Sequence, residues 1–200
     1  MRNLKPIDVY QAAKYNSTKA LNILSQFVFD TDKYPYLTKD RTISETVSYE
    51  DVNIEQCKAE IKRHEGEVLE IYMDSLGYKT LGVGHLCQPN DPEYNWEVGT
   101  PVPQSVVDRY YMIDFDKHYA EAIHVFGDKD EFNNLPEPIQ RVLVNMCFNL
   151  GGTRLSKFRN MLQACREHNW DRMAAEMQNS RWFNQVGRRS IELQQVVLDQ

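Results

Sequence analysis

The sequence lacks any long hydrophobic run. No window of its 200 residues approaches the roughly 18 uninterrupted apolar residues that a membrane-spanning helix needs, so we expect no membrane span. The first twenty residues contain no apolar stretch and include an early acid, Asp8, a composition that is atypical of a signal peptide. The sequence therefore predicts synthesis in a cytoplasm without a secretory leader.

Cysteine is scarce, and no pair has the CxxC spacing of a redox or zinc motif. We expect the four thiols to be reduced and to serve as small buried apolar residues. They are Cys57, Cys87, Cys147 and Cys165. The nearest approach to a metal motif, His64 and Glu65 with His85, fits no zinc spacing. We therefore predict no metal site and no cofactor.

The net charge of −6 lacks the positive sign of a nucleic-acid-binding protein. The charge is uneven, because residues 151–190 contain eight Lys and Arg against three acids. Such polarity fits a cleft that attracts an anionic polymer, or equally a helical surface crossed by ion pairs. Charge alone favours the ion-paired surface, so we expect no nucleic-acid partner.

The chain is predicted to be α+β, with a small β lobe followed by a larger helical lobe. Residues 1–50 contain one possible helix and a polar stretch without periodicity, and they are interpreted as an extension of unknown role. Residues 51–200 form the predicted catalytic domain. It consists of a helix over 53–64, a β lobe over about 66–102 and a helical lobe over about 103–200.

Local patterns place the predicted elements. Asn53 and Gln56 resemble a capping box, and Gly66 is a helix stop. The runs "VLEIYMD" and "YKTLGVGHL" flank "SLG", which is typical of a hairpin. Later segments, including "QSVVDRYYMIDFDKHYAEAIHVF", "EPIQRVLVNMCFNLG" and "RLSKFRNMLQACREH", have apolar residues three and four apart and are predicted helices.

Two carboxylates near the hairpin have different predicted surroundings. Glu65 is placed at a helix C-terminus, where partial negative charge and apolar neighbours would raise its pKa and suit a general acid. Asp74 is placed in the turn, where solvent and backbone N–H groups would keep it charged, and Thr80 can direct its hydroxyl towards that turn. Each acid taken alone is commonplace, but such a pair is suited to splitting a glycosidic bond.

The segment "RHEGEVLEIYMDSLGYKTLGVGHL" closely resembles the active-site segment of the T-even bacteriophage lysozymes, glycoside hydrolase family 24. Two later segments, "VNMCFNLGG" and "SRWFNQVGRR", resemble further stretches of that family. The resemblance covers the chain from about Ile54 to its end. The matching hairpin positions are Glu65, Gly66, Asp74, Thr80, Gly82, Gly84 and His85.

The resemblance implies a lysozyme-like fold with the active site in a cleft between the lobes. It also implies a muramidase that cleaves the β-1,4 bond between N-acetylmuramic acid and N-acetylglucosamine of peptidoglycan. Glu65 would be the general acid, while Asp74 with Thr80 would position or activate the water, with inversion at the anomeric carbon. His85 would form a structural ion pair with Asp114.

The same resemblance implies contacts with the substrate at five positions. Leu86 and Phe148 match family cleft positions, and Asn149 replaces a longer amide. Met161 and Glu176 replace a serine and an asparagine, which leaves the subsite preferences open.

Five further side chains are expected to support the lobe rather than to bind sugar. Trp170, Trp182 and Phe183 are predicted to be lobe core, and Arg181 and Arg189 are predicted ion-pair partners near the cleft.

Three alternatives remain at the level of sequence. The chain is a bacteriolytic enzyme, a non-catalytic glycan-binding or virion attachment module, or a glycosidase on a related polymer such as chitin. Without a leader, the enzyme would reach the cell wall through a holin, a secretion machine or a virion particle. We expect a monomer in which residues 1–50 pack on the helical lobe or attach the enzyme to a larger particle.

Overall fold

The computed structural model describes residues 53–200, which belong to a single unit spanning residues 49–200. The architecture is α+β and lysozyme-like, as the sequence predicted, with a three-stranded antiparallel sheet that precedes most of the helices. The helix and polar stretch predicted within residues 1–50 lie outside the described residues, so the division near residue 50 stays a prediction.

The described elements follow one another in the order expected for a β lobe and then a helical lobe. The first four are α1 (Ile54–Glu65), β1 (Val68–Met73), β2 (Lys79–Gly82) and β3 (His85–Leu86). The helical lobe contains α2 (Gln104–Phe126), α3 (Lys129–Asn133), α4 (Glu137–Leu150), α5 (Gly152–Leu155), α6 (Arg159–Arg166), α7 (Trp170–Gln178), α8 (Arg181–Val186) and α9 (Arg188–Leu198).

Helix α1 begins and ends where its sequence signals predicted. The Asn53 side chain accepts a hydrogen bond from the backbone N–H of Gln56 at 3.0 Å, which satisfies one of the free donors of the first turn. At the other end Gly66 has φ 78° and donates its N–H to the carbonyl of Lys62. Glu65 is therefore the last residue of the helix, at the point where the chain turns into the sheet.

The sheet has the order β1-β2-β3, and its register aligns three side chains across one face. Tyr72 pairs with Thr80, and Thr80 pairs in turn with Leu86. Directly paired residues of antiparallel strands extend from the same side of a sheet. A register shift between Val68 and Tyr72 interrupts the regular pairing of β1 with β2.

The hairpin predicted around "SLG" is present as β1 and β2, but the second run, "YKTLGVGHL", contains two strands. The run divides into β2 and β3, because the chain reverses through Gly82, Val83 and Gly84. Both glycines have positive φ, 63° and 79°, which interrupts strand geometry. Period-two patterning does not distinguish a continuous strand from a tight reversal when the residues at the reversal are also strand formers.

We expect Gly82→Ala to lower the free energy of unfolding by about 2–4 kcal/mol. Besides the positive φ, a Cβ at this position would lie 2.9 Å from Cγ1 of Val107 in α2. Gly84→Ala is the matched control, because its φ is also positive but a Cβ there would meet nothing within 4 Å. Urea unfolding of both variants should show the larger loss for Gly82→Ala, and equal losses would contradict the proposed contact.

The long loop between β3 and α2 is anchored at one buried acid that sequence reasoning did not single out. Glu93 is 3% exposed; its carboxylate accepts a hydrogen bond from Tyr110 at 2.6 Å and pairs with Arg109 at 3.0 Å. Burial and the neighbouring Glu93 carboxylate raise the pKa of Tyr110. A stretch with many turn residues is thus held firmly against α2.

Helix α4 lies at the centre of the helical lobe, where it packs against α1, α2 and α9. Nine consecutive residues of α4, from Ile139 to Cys147, are buried, so its whole circumference is covered. This helix brings Asn145, Phe148 and Asn149 to the positions discussed below. Within residues 53–200, no helix has the combination of length and hydropathy that a membrane crossing requires.

Two helix predictions in this lobe need correction. The predicted helix over "RLSKFRNMLQACREH" is divided into α5 and α6, with a turn at 156–158 between them. The short helix α3 was not predicted; it begins at Lys129 and is capped by Asp128, whose side chain accepts the N–H of Glu131 at 2.9 Å. Both differences concern helices of eight residues or fewer, for which apolar spacing carries little information.

Candidate active site

Glu65 is held by a buried arginine from the far end of the chain. Nη1 of Arg189 lies 2.5 Å from Oε1 of Glu65, and the Arg189 side chain is only 6% exposed. The predicted position of Glu65 at a helix end is present. Arg189 forms an ion pair, as the family resemblance implied, and its partner is Glu65. The general-acid argument had expected apolar neighbours at this carboxylate, so the predicted surroundings were incomplete.

Asn145 in α4 fixes the orientation of that arginine. Its side-chain oxygen accepts from Nε of Arg189 at 2.8 Å, and its backbone carbonyl accepts from Nη2 at 2.9 Å. Asn145 is fully buried. Its side chain also contacts Nδ1 of His64, whose Nε2 lies 3.0 Å from Glu192 in α9. A continuous polar network therefore joins α1, α4 and α9 behind Glu65.

Asp74 occupies the hairpin turn and is surrounded by backbone donors. Its Oδ1 accepts the N–H of Leu76 at 2.9 Å and that of Tyr78 at 2.8 Å. Its own backbone N–H donates to the carbonyl of Tyr78 at 2.9 Å, which closes the turn. Both side-chain contacts are made by one carboxylate oxygen, and they stabilise negative charge at this position.

Thr80 lies in β2, 3% exposed, and its hydroxyl donates to the carbonyl of Tyr78 at 3.0 Å. The pKa of its partner across the sheet, Tyr72, is affected by both carboxylates. Burial raises the pKa of Tyr72, and the charges of Asp74 and Glu65 raise it further. Tyr72 therefore lies within electrostatic range of both carboxylates.

His85 contacts two acids. Its Nδ1 lies 2.8 Å from Oδ2 of Asp114 in α2, and its Nε2 lies 3.2 Å from Oδ2 of Asp91 in the loop. The imidazole also stacks on Tyr110 with 3.9 Å between ring centroids. The structure therefore brings the predicted pair together and adds Asp91, which sequence reasoning missed. Both imidazole nitrogens face carboxylates, and His64 faces Asn145 and Glu192, so neither histidine is directed at Glu65.

We expect the His85–Asp114 contact to stabilise the fold most strongly on the acid side of neutrality. Burial lowers the pKa of His85, but the hydrogen bonds and charges of Asp114 and Asp91 outweigh it, so the pKa is raised above 6.5. A raised folded-state pKa gives a contribution that is complete below the unfolded value and is lost as the pH rises through the folded value.

Asp114→Asn should therefore lower the free energy of unfolding by about 1–3 kcal/mol near pH 6, and by less near pH 9. Urea unfolding at both pH values measures this difference. Asp108→Asn is the control on the same helix, because Asp108 accepts from Gln104 and not from a histidine. A loss for Asp114→Asn that does not change with pH would contradict the expectation.

Three of the predicted substrate contacts lie at different depths. Leu86 is 43% exposed and lines a pocket of about 490 Å³ together with Tyr78 and Tyr94. Phe148 is partly buried, with its ring edge-on to Tyr111 and to His118. Leu86 is thus exposed, whereas Phe148 is only partly so. Asn149, the third, is also partly buried, and its side chain accepts from Trp182, as described below.

The other two predicted contacts, Met161 and Glu176, line one pocket of about 320 Å³. Met161 is only 1% exposed, so it can present little surface to a sugar. Lys157, Arg159 and Asn179 also line this pocket and supply polar groups that sequence reasoning did not identify.

The aromatic residues near the C-terminus belong to the core, as predicted. Trp182 is 4% exposed, and Trp170 and Phe183 pack against the same core. Nε1 of Trp182 donates to Oδ1 of Asn149 at 2.9 Å, so this amide positions a helix in the described structure. All four cysteines are buried and unpaired, also as predicted.

Comparison with known proteins identifies the family. Residues 62–195 match the family described as phage lysozyme. Probable T4-type lysozyme 2 of Dictyostelium discoideum is 30% identical over 154 residues, which are 68% of this chain and 90% of that protein.

Two phage proteins are more distant relatives of greater length. Peptidoglycan hydrolase gp36 of Pseudomonas phage phiKMV is 26% identical over 129 residues, 64% of this chain and 14% of that protein. Pre-baseplate central spike protein Gp5 of Enterobacteria phage T4 is 23% identical over 203 residues, 94% of this chain and 35% of that protein. With two thirds of its length matching the family, this chain belongs to the phage lysozymes, and it is a peptidoglycan-degrading glycoside hydrolase.

Proposed function

We propose that this enzyme is a muramidase that cleaves the β-1,4 bond between N-acetylmuramic acid and N-acetylglucosamine with inversion at the anomeric carbon. The observation that carries the proposal is a pair of carboxylates in unlike surroundings, Glu65 at the end of α1 and Asp74 in the hairpin turn of the sheet that follows α1. One is anchored by a buried arginine, and the other by two backbone N–H groups. Two carboxyls with different tasks are what glycoside hydrolysis requires.

Glu65 is proposed to donate a proton to the leaving glycosidic oxygen. Because Arg189 contacts Oε1, we assign the proton transfer to the other oxygen, Oε2. As the bond between C1 and the glycosidic oxygen breaks, the proton passes from Glu65 to the glycosidic oxygen, and Glu65 becomes a carboxylate. Arg189 then stabilises the negative charge that is left.

Asp74 is proposed to accept a proton from the attacking water. Its Oδ1 is occupied by the N–H groups of Leu76 and Tyr78, so Oδ2 is available for the water. The Thr80 hydroxyl donates its hydrogen to the carbonyl of Tyr78, and its lone pairs can therefore accept the second hydrogen of the same water. Attack at C1 from the face opposite the leaving oxygen gives inversion.

Product analysis tests this reaction. Purified bacterial sacculi are incubated with the enzyme, the fragments are reduced with borohydride, and the reduced sugar is identified by mass spectrometry. Reduced muramic acid is expected, whereas reduced glucosamine would place the cut at the other bond. Release from chitin but not from sacculi would favour the related-polymer alternative, and no release from either would favour a binding module. Proton NMR identifies the anomer that forms first and so shows whether the configuration at C1 is inverted.

We further propose that residues 1–50 form an extension to a catalytic domain over residues 51–200, with the β lobe at about 66–102, and that they attach the enzyme to a larger particle. The match to the T4 central spike protein supports this. It covers 94% of the chain, a larger share than residues 53–200, and therefore includes part of residues 1–50. A chain that lacks residues 1–50 should keep its activity on sacculi and lose co-sedimentation with particles. A large loss of thermal stability would instead favour packing on the helical lobe.

A further inference from the structure

A second cluster of reactive side chains lies on the helical lobe, away from the contacts of Glu65 and Asp74. His118 and Glu121, three residues apart, share a face of α2, and Cys147 approaches them from the neighbouring helix α4. One atom from each, an imidazole nitrogen, a carboxylate oxygen and the thiol sulfur, lies within 4.8 Å of the other two. Among residues 53–200 this is the one such group of three ligand types.

We propose that His118, Glu121 and Cys147 bind a zinc ion. Nitrogen, oxygen and sulfur donors are the set that Zn²⁺ accepts, and three protein ligands leave its fourth position for water. Sequence analysis predicted no metal after weighing only His64, Glu65 and His85, and it did not consider this group. A His-x-x-Glu pair and a cysteine 26 residues later match no short motif. Only the packing of α4 against α2 brings them together.

The distances already approach those of a tetrahedral site. Nδ1 of His118 lies 2.9 Å from Oε2 of Glu121, and Sγ of Cys147 lies 3.9 Å from the same oxygen. With Zn–N and Zn–O bonds of about 2.0 Å and a Zn–S bond of about 2.3 Å, tetrahedral ligands are separated by about 3.2–3.6 Å. Binding would require the imidazole and carboxylate to rotate, because the first distance is shorter and the second is longer than these separations. The thiol loses its proton to solvent as the Zn–S bond forms.

The carboxylate also has the outer partner that metal sites use for orientation. The backbone N–H of Gly152 donates to Oε2 of Glu121 at 3.0 Å. A Cβ at Gly152 would lie 3.2 Å from Cβ of Glu121, so glycine is what permits this close approach. Such second contacts hold a metal ligand in place before the ion arrives.

An ion can reach the cluster from one side. Cys147 is fully buried, whereas the side chain of Glu121 is 35% exposed and that of His118 is 16% exposed. The thiol is the most deeply buried of the three groups, and the carboxylate is the most exposed to solvent. The imidazole of His118 also contacts Phe148, so a bound ion would cross-link α2 and α4 directly beside that side chain.

Cobalt titration tests the site in the full chain with any polyhistidine tag removed. Tetrahedral Co²⁺ with a thiolate ligand gives a charge-transfer band in the near ultraviolet, which we expect to saturate at one ion per chain and to be displaced by Zn²⁺. Calorimetry then measures Zn²⁺ affinity. Cys147→Val should abolish the band and weaken Zn²⁺ binding by more than about 100-fold, beyond the loss that an outer partner causes.

Matched variants keep the proposal falsifiable. Cys165→Val removes another fully buried thiol and should leave the band unchanged, and His124→Ala removes an exposed histidine from the same helix with the same expectation. If Cys147→Val fails to fold, His118→Ala and Glu121→Gln carry the test, and each should weaken Zn²⁺ binding. Absence of the thiolate band in the unchanged protein, or its persistence in Cys147→Val, would overturn the site.

Discussion

Glu65→Gln should lower the rate of peptidoglycan hydrolysis by about 100-fold or more, since proton donation by a placed side chain contributes about 10²–10⁴-fold. Glutamine keeps the size of the side chain and an oxygen that can accept from Nη1 of Arg189. It has no proton that it can give to the glycosidic oxygen. The rate of release of soluble fragments from sacculi, per folded molecule, measures the effect.

The control for this substitution is Glu67→Gln, two residues further along the chain. Glu67 pairs with Lys62 at 2.5 Å and accepts from Gln104 at 2.8 Å, and it has no role in the proposed reaction. Its substitution should change the rate by less than about twofold, as surface changes usually have small effects. Equal rates for Glu65→Gln and Glu67→Gln would refute the assignment of Glu65 as the acid.

Folding has to be measured beside activity, because Glu65 is also the partner of a buried charge. Removal of its negative charge leaves Arg189 with neutral acceptors only. We therefore expect some loss of stability in Glu65→Gln, and assays belong well below its melting temperature. A rate that falls while the circular dichroism spectrum is unchanged separates chemistry from unfolding.

Arg189→Met should lower the free energy of unfolding by about 3–5 kcal/mol, the usual cost of breaking a buried ion pair by removing one partner. The guanidinium donates to the side-chain oxygen of Asn145, to the carbonyl of Asn145 and to Glu65. Methionine fills similar volume but supplies none of these three hydrogen bonds. Urea unfolding measures the loss.

The adjacent Arg188 supplies the matched control. Its side chain is 90% exposed and pairs with Glu192 at 2.8 Å, so Arg188→Met should cost about 1 kcal/mol or less. Losses of equal size in the two variants would show that the buried pair contributes nothing special.

A double-mutant cycle measures the interaction free energy between Glu65, at the end of α1, and Arg189. Glu65→Gln combined with Arg189→Met should be less destabilised than the sum of the two single variants, with a coupling of about 0.5–3 kcal/mol. Strict additivity would mean that the two side chains do not interact in solution. Hydrolysis should stay low in all three variants, because each disturbs the group that gives the proton.

The segments that sequence predicted well are those in which a few neighbouring residues decide the conformation. Asn53 and Gly66 determine where α1 begins and ends, because capping depends on residues within one turn. The turn that holds Asp74 follows from Gly77 and from a short side chain that can accept nearby N–H groups. Gly82 and Gly84 show the limit, because the same period-two pattern concealed a reversal of the chain.

Long-range contacts were out of reach of the same reasoning. Arg189 lies 124 residues after Glu65, and its role as the partner of that acid depends on α9 packing beside α4. Asp91 and Glu93 lie in a loop whose composition predicted only turns, yet they contact His85 and Tyr110. Met161 matched a substrate position in the sequence, but packing leaves it almost wholly buried.

The sequence by itself determined the family, the order of the elements and the placement of Glu65 and Asp74 at a helix end and a hairpin turn. The family followed from the resemblance of three segments to known enzymes, whereas the other two depend on local propensity and on spacing along the chain. Only the tertiary structure decided what surrounds each side chain: an arginine against Glu65, two acids against His85, and a thiol beside His118 and Glu121. The reason is physical, since burial and charge depend on which distant residues the packing of helices brings within a few ångströms.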